Sequence, residues 1–499
     1  MVRLPALLFA ALALVLAGCA QGPDSSPSTA SGPGVDGLPT LEGFAPLAKT
    51  DRPLFTAPIL VDDVRAGGEP VIAITQAGTI LVSSHPGFTH YHPSEDPTHL
   101  PTELVSEFAG QSYVWRSTDQ GVTWTHIGLP IGTEAGPRSL ALGVSDPEFT
   151  VMEDGAICFT DLEALAAAST SCSLDDGVTW LPGNPLGSGR PVDRQWLASY
   201  QDEFYFTANY FAGPSDFRVS TDKGVTWTDR GSTPCNGDVI ANPANGHLYQ
   251  HCNPGITVST DGGTTWSAVR APDNSTAAGT RTLAEPGLDA AGNVWMAWSQ
   301  GEHQLFAAGT PDEGVTWPWI IDLTPHFSFF AQNQVALTGA ATINHDGSAT
   351  NGTFVWPWLS AGSGGRIAVS WIGNFDEEKG SEEYSGGWYL FTAYVLGADS
   401  ASPTVVVSQL TPDAMHVGPI CQSGTLCQAT SVQGDPAGDR RLGDFFETTI
   451  GADGFLYGAW SNTRERVDDT VSHVQFVRQT GGVRLIEDAL LGSFTPTQG

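Results

Sequence analysis

Five copies of one eight-residue pattern, Ser/Thr-x-Asp-x-Gly-x-Thr-Trp, constrain this chain's fold more than any other feature. They occupy residues 117–124, 173–180, 220–227, 259–266 and 310–317, with Asp119, Asp175, Asp222, Asp261 and Asp312 at the acidic position. The pattern has the chemistry of a hairpin turn. The Asp carboxylate can accept backbone N–H bonds, and Gly permits a positive φ. Thr opens the returning strand, and Trp can pack between neighbouring sheets. A catalytic or calcium-binding role would require five separate active sites, so the five Asp residues are read as structural.

Successive Asp residues are 56, 47, 39 and 51 positions apart, which suits one four-stranded antiparallel sheet per repeat, the unit of a β-propeller. Upstream of each turn lies a strand signal bent at Gly or Asp, at 71–82, 149–159, 196–208, 239–249 and 287–298. Two further segments share the form without a good Asp turn: 354–371 with 388–395 and 405–408, and 445–460 with 471–478 and 483–486. The expected fold is therefore an all-β propeller of seven blades, with six as the rival count. Residues 53–61 are expected to supply the strand that closes the ring. The 499 residues, 40% of them hydrophobic, are enough for a large core, and 58 Gly with 34 Pro fit many tight turns.

The N-terminus carries an address. Arg3 precedes an apolar stretch at 4–17 that is too short to span a membrane and ends in Leu16-Ala17-Gly18-Cys19. Residues 1–18 read as a bacterial lipoprotein signal peptide, Cys19 as the lipidated residue and 19–48 as a flexible tether, leaving 49–499 as the propeller domain. Export permits disulfides. The six remaining cysteines allow fifteen connectivities, and locality favours the pairs Cys158/Cys172, Cys235/Cys252 and Cys421/Cys427, with no Cys-x-x-Cys to suggest zinc. Twenty-one basic against 54 acidic side chains give a net charge of −33, which argues against nucleic acid as a partner.

The five turns resemble the Asp boxes, or BNR repeats, of the sialidase superfamily of β-propellers, over roughly residues 60–490. Gly67-Gly68-Glu69-Pro70, Asp193-Arg194-Gln195-Trp196 and Arg441-Leu442-Gly443-Asp444-Phe445 resemble segments of bacterial secreted propellers usually labelled sialidase-like. For an exo-sialidase the resemblance implies three arginines on the substrate carboxylate, a Tyr nucleophile paired with Glu, and an Asp acid/base. The first of those arginines should open an early strand in Arg-Ile-Pro. This chain has Gly68-Glu69-Pro70 there, and Ser83-Ser84-His85 where Asp-x-Arg should follow.

The inner strands open instead with Arg65-x-x-x-Glu69-Pro70, Arg281-x-x-x-Glu285-Pro286 and Arg440-Arg441-x-x-Asp444, while Asp146-Pro147, Asp193-Arg194 and Asp238 hold similar places in other blades. These side chains are expected to converge at the mouth of the central channel. In the functional reading, Glu69, Glu285 and Asp444 are the acid/base candidates and Arg65, Arg194, Arg281 and Arg441 bind ligand. In the structural reading the same groups pair within their own blades. His85, His90, His92 and His99, with Glu95 and Asp96, could grip a transition metal or form a polar surface loop. Tyr384 beside Glu382 and Glu383 is a weaker nucleophile candidate. No cofactor is expected. The expected partner is a glycan or a protein at the cell envelope, with the membrane met only through the lipid, and the chain is expected to be a monomer. An exported glycan-binding or glycan-hydrolysing propeller and a non-catalytic scaffold both remain open.

Overall fold

The structure, a computed structural model, describes residues 51–85, 112–127, 145–163, 167–181, 184–186, 191–210, 214–253, 255–272, 286–328, 330–331, 352–375, 380–422, 439–464 and 472–487. The expected signal peptide, Cys19 and the tether lie outside them, as do Arg281, Glu285, Cys427, His90, His92 and His99.

Short, apolar, turn-punctuated segments leave the chain few options but small antiparallel sheets, and the described residues form seven of them. The architecture is a seven-bladed β-propeller, so the six-blade count is set aside. The first blade runs outward through Gly68–Ile74, Ile80–His85, Tyr113–Ser117 and Thr125–His126. The inner strands of the next six blades are Ser145–Val151, Val192–Tyr200, Val239–Ala241, Gly287–Leu288, Thr353–Ala361 and Glu447–Ile450. In the fourth blade the outer edge is reduced to a bridge between Ile256 and Arg270.

Ring closure follows the sequence expectation in part. Leu54–Phe55 and Ile59–Leu60 both pair with His473–Gly481, so the segment that precedes the first blade forms the outer edge of the seventh. Residues 483–486, expected as a strand, are not one. They turn back so that Val483 N–H donates to Asp51 O and Leu485 N–H to Gly454 O. The outer position was already filled by the N-terminal strand.

The five Asp turns share one geometry. In the first, Ser117 Oγ donates to Asp119 Oδ1 (2.8 Å) and accepts the Gly121 N–H (2.9 Å), while Asp119 Oδ1 accepts the Thr123 N–H (2.9 Å). The glycine has φ +82° here and between +80° and +86° in the other four. It also sits where blades meet: a Cβ on Gly263 would lie 1.9 Å from Phe217 of the preceding blade. Each turn joins a third strand to a fourth. In an antiparallel sheet it therefore lies at the end where the inner strand finishes, and this end is called the turn face. The opposite end, where inner strands begin, is the leading face.

Cys158 and Cys172 are bonded across directly opposed strands of the second blade, and Cys235 is bonded to Cys252. Cys421 is also disulfide-bonded. Large buried aromatics, among them Trp115, Trp196, Trp295, Trp371 and Trp460, fill the sheet interfaces.

Candidate functional site

An inner strand has a hydrogen-bonded neighbour on one side only. Its channel edge leaves N–H and C=O groups for side chains or water to satisfy. Near the leading face four inner strands are bulged, between Gly68 and Val71, Ser145 and Glu148, Val192 and Gln195, and Val355 and Trp358. In three of them the residue before a proline takes a positive φ: Glu69 (51°), Asp146 (54°) and Trp356 (49°). A non-glycine residue in that region ahead of proline is strained, and bulges re-aim side chains.

The re-aimed carboxyls meet arginines from other blades. Glu69 Oε1 accepts the Asp444 N–H (2.8 Å) and lies 3.4 Å from Arg440 Nη2, and Arg440 also forms an ion pair with Asp444. Gly443 permits this approach, since a Cβ there would lie 2.1 Å from Glu69 Cγ. Arg194 spans Asp146 (Nη1 to Oδ1, 3.6 Å) and Glu148 (Nη2 to Oε2, 3.3 Å), its guanidinium 3.7 Å above the Phe445 ring. Deeper in the channel, Glu447 Oε2 accepts the Ile72 N–H (2.6 Å) and Asp238 Oδ1 the Val239 N–H (2.7 Å). Carboxylates thus cap the edge amides that the sheets leave open.

Burial dominates the electrostatics. It pushes Glu69 well above the usual carboxylate range, with Asp146 adding to the shift and Arg440 opposing it. Burial lifts Glu148 to about 7 against the pull of Arg194, and lifts Glu447 well up with Glu148 adding to it. It also drops His85 to about 3, helped by Arg440. His85 is therefore neutral at ordinary pH, and its 3.7 Å approach to Glu69 is not a charged pair. For Arg440, burial works against the charge, but Asp444 and Glu69 outweigh it and raise the pKa.

Of the residues singled out in the sequence, Glu69, Asp444 and Arg194 come together at the hub. Arg65 does not reach it. Its guanidinium pairs with Asp62 (2.8 Å), which also accepts the Trp115 indole N–H, and this anchors it at the closing blade. Arg441 turns back onto Asp439 (2.6 Å), and its neighbour Arg440 takes the hub position. Glu285 and Arg281 lie outside the described residues. Tyr384 packs edge-on against Trp388 in the sixth blade. Sequence reasoning missed Glu148 and Glu447. The signal was an acidic residue set directly among apolar strand residues, as in Glu148-Phe149 and Phe446-Glu447. Among the described residues no group of three or more His, Cys, Asp or Glu side chains is placed to hold a metal ion.

On the turn-face side the channel widens into a cavity of about 760 Å³. Phe149, Leu197, Val239 and Leu359 contribute apolar wall, Ser199 and Ser360 hydroxyls, and Glu148, Asp238 and Glu447 lie at its inner end.

No family model matches the chain, and no curated protein matches its sequence. Solved structures with a similar fold include the Hadza microbial sialidase Hz136, at 15% identity over 63% of this chain and 66% of that one, TM-score 0.39. They also include a mutant of NanB sialidase from Streptococcus pneumoniae, at 10% identity over 87% and 71%, TM-score 0.38. A third is the SapL1 lectin in complex with alpha methyl fucoside, at 12% identity over 70% and 99%, TM-score 0.34. Likenesses this distant concern the fold, and nothing about ligand or activity follows from them.

Proposed function

We propose that this chain is an exported, lipid-tethered, sialidase-like propeller that binds glycans at the leading face of its channel. The observation that carries the reading is the hub itself, where Arg194 and Arg440 each share carboxylates from another blade. Such a mouth alternates donors and acceptors at little net charge, which suits sugar hydroxyls. Asp444 and Asp146 keep side-chain exposures of 27% and 13%, so the pairs are within reach of a ligand. Among the described residues both hub arginines are already ion-paired, and the net charge of −33 opposes an anionic sugar, so neutral glycans are favoured over sialosides. If hydrolysis accompanies binding, Glu69 and Asp444 are the acid/base pair, with Glu285 and Arg281 as further candidates from the sequence. The leader, Cys19 and the disulfides support export to the envelope.

The test measures binding of neutral and sialylated oligosaccharides, and hydrolysis of an arylglycoside panel, by the mature chain and by Asp444→Asn. Retention of neutral glycans by the wild type, weakened about tenfold or more in the variant, is expected. Failure of the wild type to bind any glycan sinks the proposal. One observation favours a scaffold role instead: Val122, Val178, Val225 and Val315 stand 60–68% exposed at the tips of four Asp turns. That reading predicts capture of an envelope protein that Val122→Asp with Val178→Asp abolishes without touching glycan binding.

A further inference from the structure

We propose that the channel holds a second binding site, reached from the turn face, for a slender organic cation whose ammonium group ion-pairs with Glu447. This goes beyond the glycan reading, which concerns the other end of the channel and a different chemistry. The cavity of about 760 Å³ is of the size that takes small organic molecules. At its inner end Glu447 has no ion pair among the described residues. Glu447 is only 7% exposed, and its one hydrogen bond among the described residues is to the Ile72 amide. No cation stands within ion-pair distance of it there. With no cation in reach, a buried carboxyl facing a cavity stays protonated, and it can ionise once a cation enters to pair with it.

The groups around Glu447 sharpen the ligand's chemistry. From neighbouring blades it faces Glu148, Asp238 and Arg194, and the Arg194 guanidinium is already divided between Asp146 and Glu148. Among the described residues here, carboxyl groups outnumber the one guanidinium, which favours a cation over an anion. The absence of any three-ligand arrangement among the described residues disfavours a metal ion. Phe149, Leu197 and Leu359 offer apolar wall along the way in, which suits an alkyl chain behind the charged head. A net charge of −33 also concentrates organic cations near the molecule.

Without a ligand, burial and Glu148 favour the protonated form of Glu447. An arriving ammonium stabilises the carboxylate, so binding releases the carboxyl proton to buffer and affinity rises with pH. Calorimetry of the mature chain with n-hexylamine, 1,6-diaminohexane and hexan-1-ol tests this. Both amines should bind, the alcohol about tenfold or more weakly, with proton release shown by heats that vary with buffer ionisation enthalpy. Glu447→Gln, whose amide oxygen can still accept the Ile72 N–H, should cut amine affinity by a similar factor while leaving Asp444-dependent glycan binding intact. Equal binding of amine and alcohol, no binding of amine, or an undiminished Glu447→Gln overturns the proposal. The alcohol comparison and the buffer series use the wild-type chain, so they decide the question even if the variant misfolds.

Discussion

Glu69 Oε1 accepts the Asp444 backbone N–H at 2.8 Å, a bond between positions 375 residues apart that latches the first blade to the opening of the last. The same oxygen faces Arg440. Glu69→Ala leaves a buried amide and part of a buried guanidinium without an acceptor and should cost about 3 kcal/mol. Burial and Asp146 favour the neutral carboxyl, so Glu69→Gln is the closer mimic and should cost about 1 kcal/mol or less. Denaturant unfolding of both variants checks the difference. Equal losses would mean that the latch contributes nothing specific.

The glycines of the Asp turns carry two constraints that substitution can separate. Gly263 has φ +86° and would place a Cβ 1.9 Å from Phe217, whereas Gly292 has the same φ with nothing within 4 Å. Gly292→Ala should cost about 1–2 kcal/mol from backbone strain alone. Gly263→Ala adds a clash with a rigid ring in the preceding blade and should cost about 1–3 kcal/mol more. Similar melting temperatures for the two would show that the turn glycine has no role between blades.

Stability should depend on pH through Glu148. Its folded pKa of about 7 lies above the unfolded carboxyl's 4.5, so between these values the folded chain holds the proton that the unfolded chain has lost. This contribution is full below pH 4.5 and disappears as pH rises through 7. The buried neutral His85, His251 and His326, depressed to about 3, 4 and 4, act in the opposite direction, so the wild-type profile alone mixes the two. Glu148→Gln isolates the carboxyl: its melting temperature relative to wild type should rise steadily from pH 4.5 to 7. A flat difference across that window would refute the buried-proton account.

The fold was legible because its signal is local and repeated. Ser117 to Trp124 can be read as a turn without knowing what it touches, and four more copies at blade-sized intervals imply a ring. The hub was legible only in outline. Glu69, Arg194 and Asp444 stood out through the acidic and basic residues at strand openings, but which of two adjacent arginines reaches the hub depends on backbone direction across the Gly443 turn. Arg441 had a partner two residues away in Asp439, and the local chelate wins over a distant one. Arg65 was drawn off in the same way by Asp62. Glu148 and Glu447 were hidden because a carboxyl within an apolar strand acquires meaning only when the neighbouring blade's open amide edge is placed beside it.

Closure of the ring by residues 54–61 makes a last prediction. Thr56 N–H donates to Arg478 O (2.9 Å) and Val61 N–H to Val474 O (3.0 Å), while Ile59 pairs with Phe476 and packs in its cluster. A chain starting at residue 62 loses all of these and leaves His473–Gly481 as an uncovered edge beside a buried aromatic cluster. Edge strands left bare recruit other chains, so this truncation should melt well below the full chain and elute as aggregates in size exclusion. A chain starting at residue 51 keeps each of these bonds, including the Asp51 carbonyl that accepts the Val483 N–H, and should melt with the full chain. If the shorter truncation product stays monomeric and equally stable, the N-terminal strand is dispensable and the ring is held shut by the hub contacts alone.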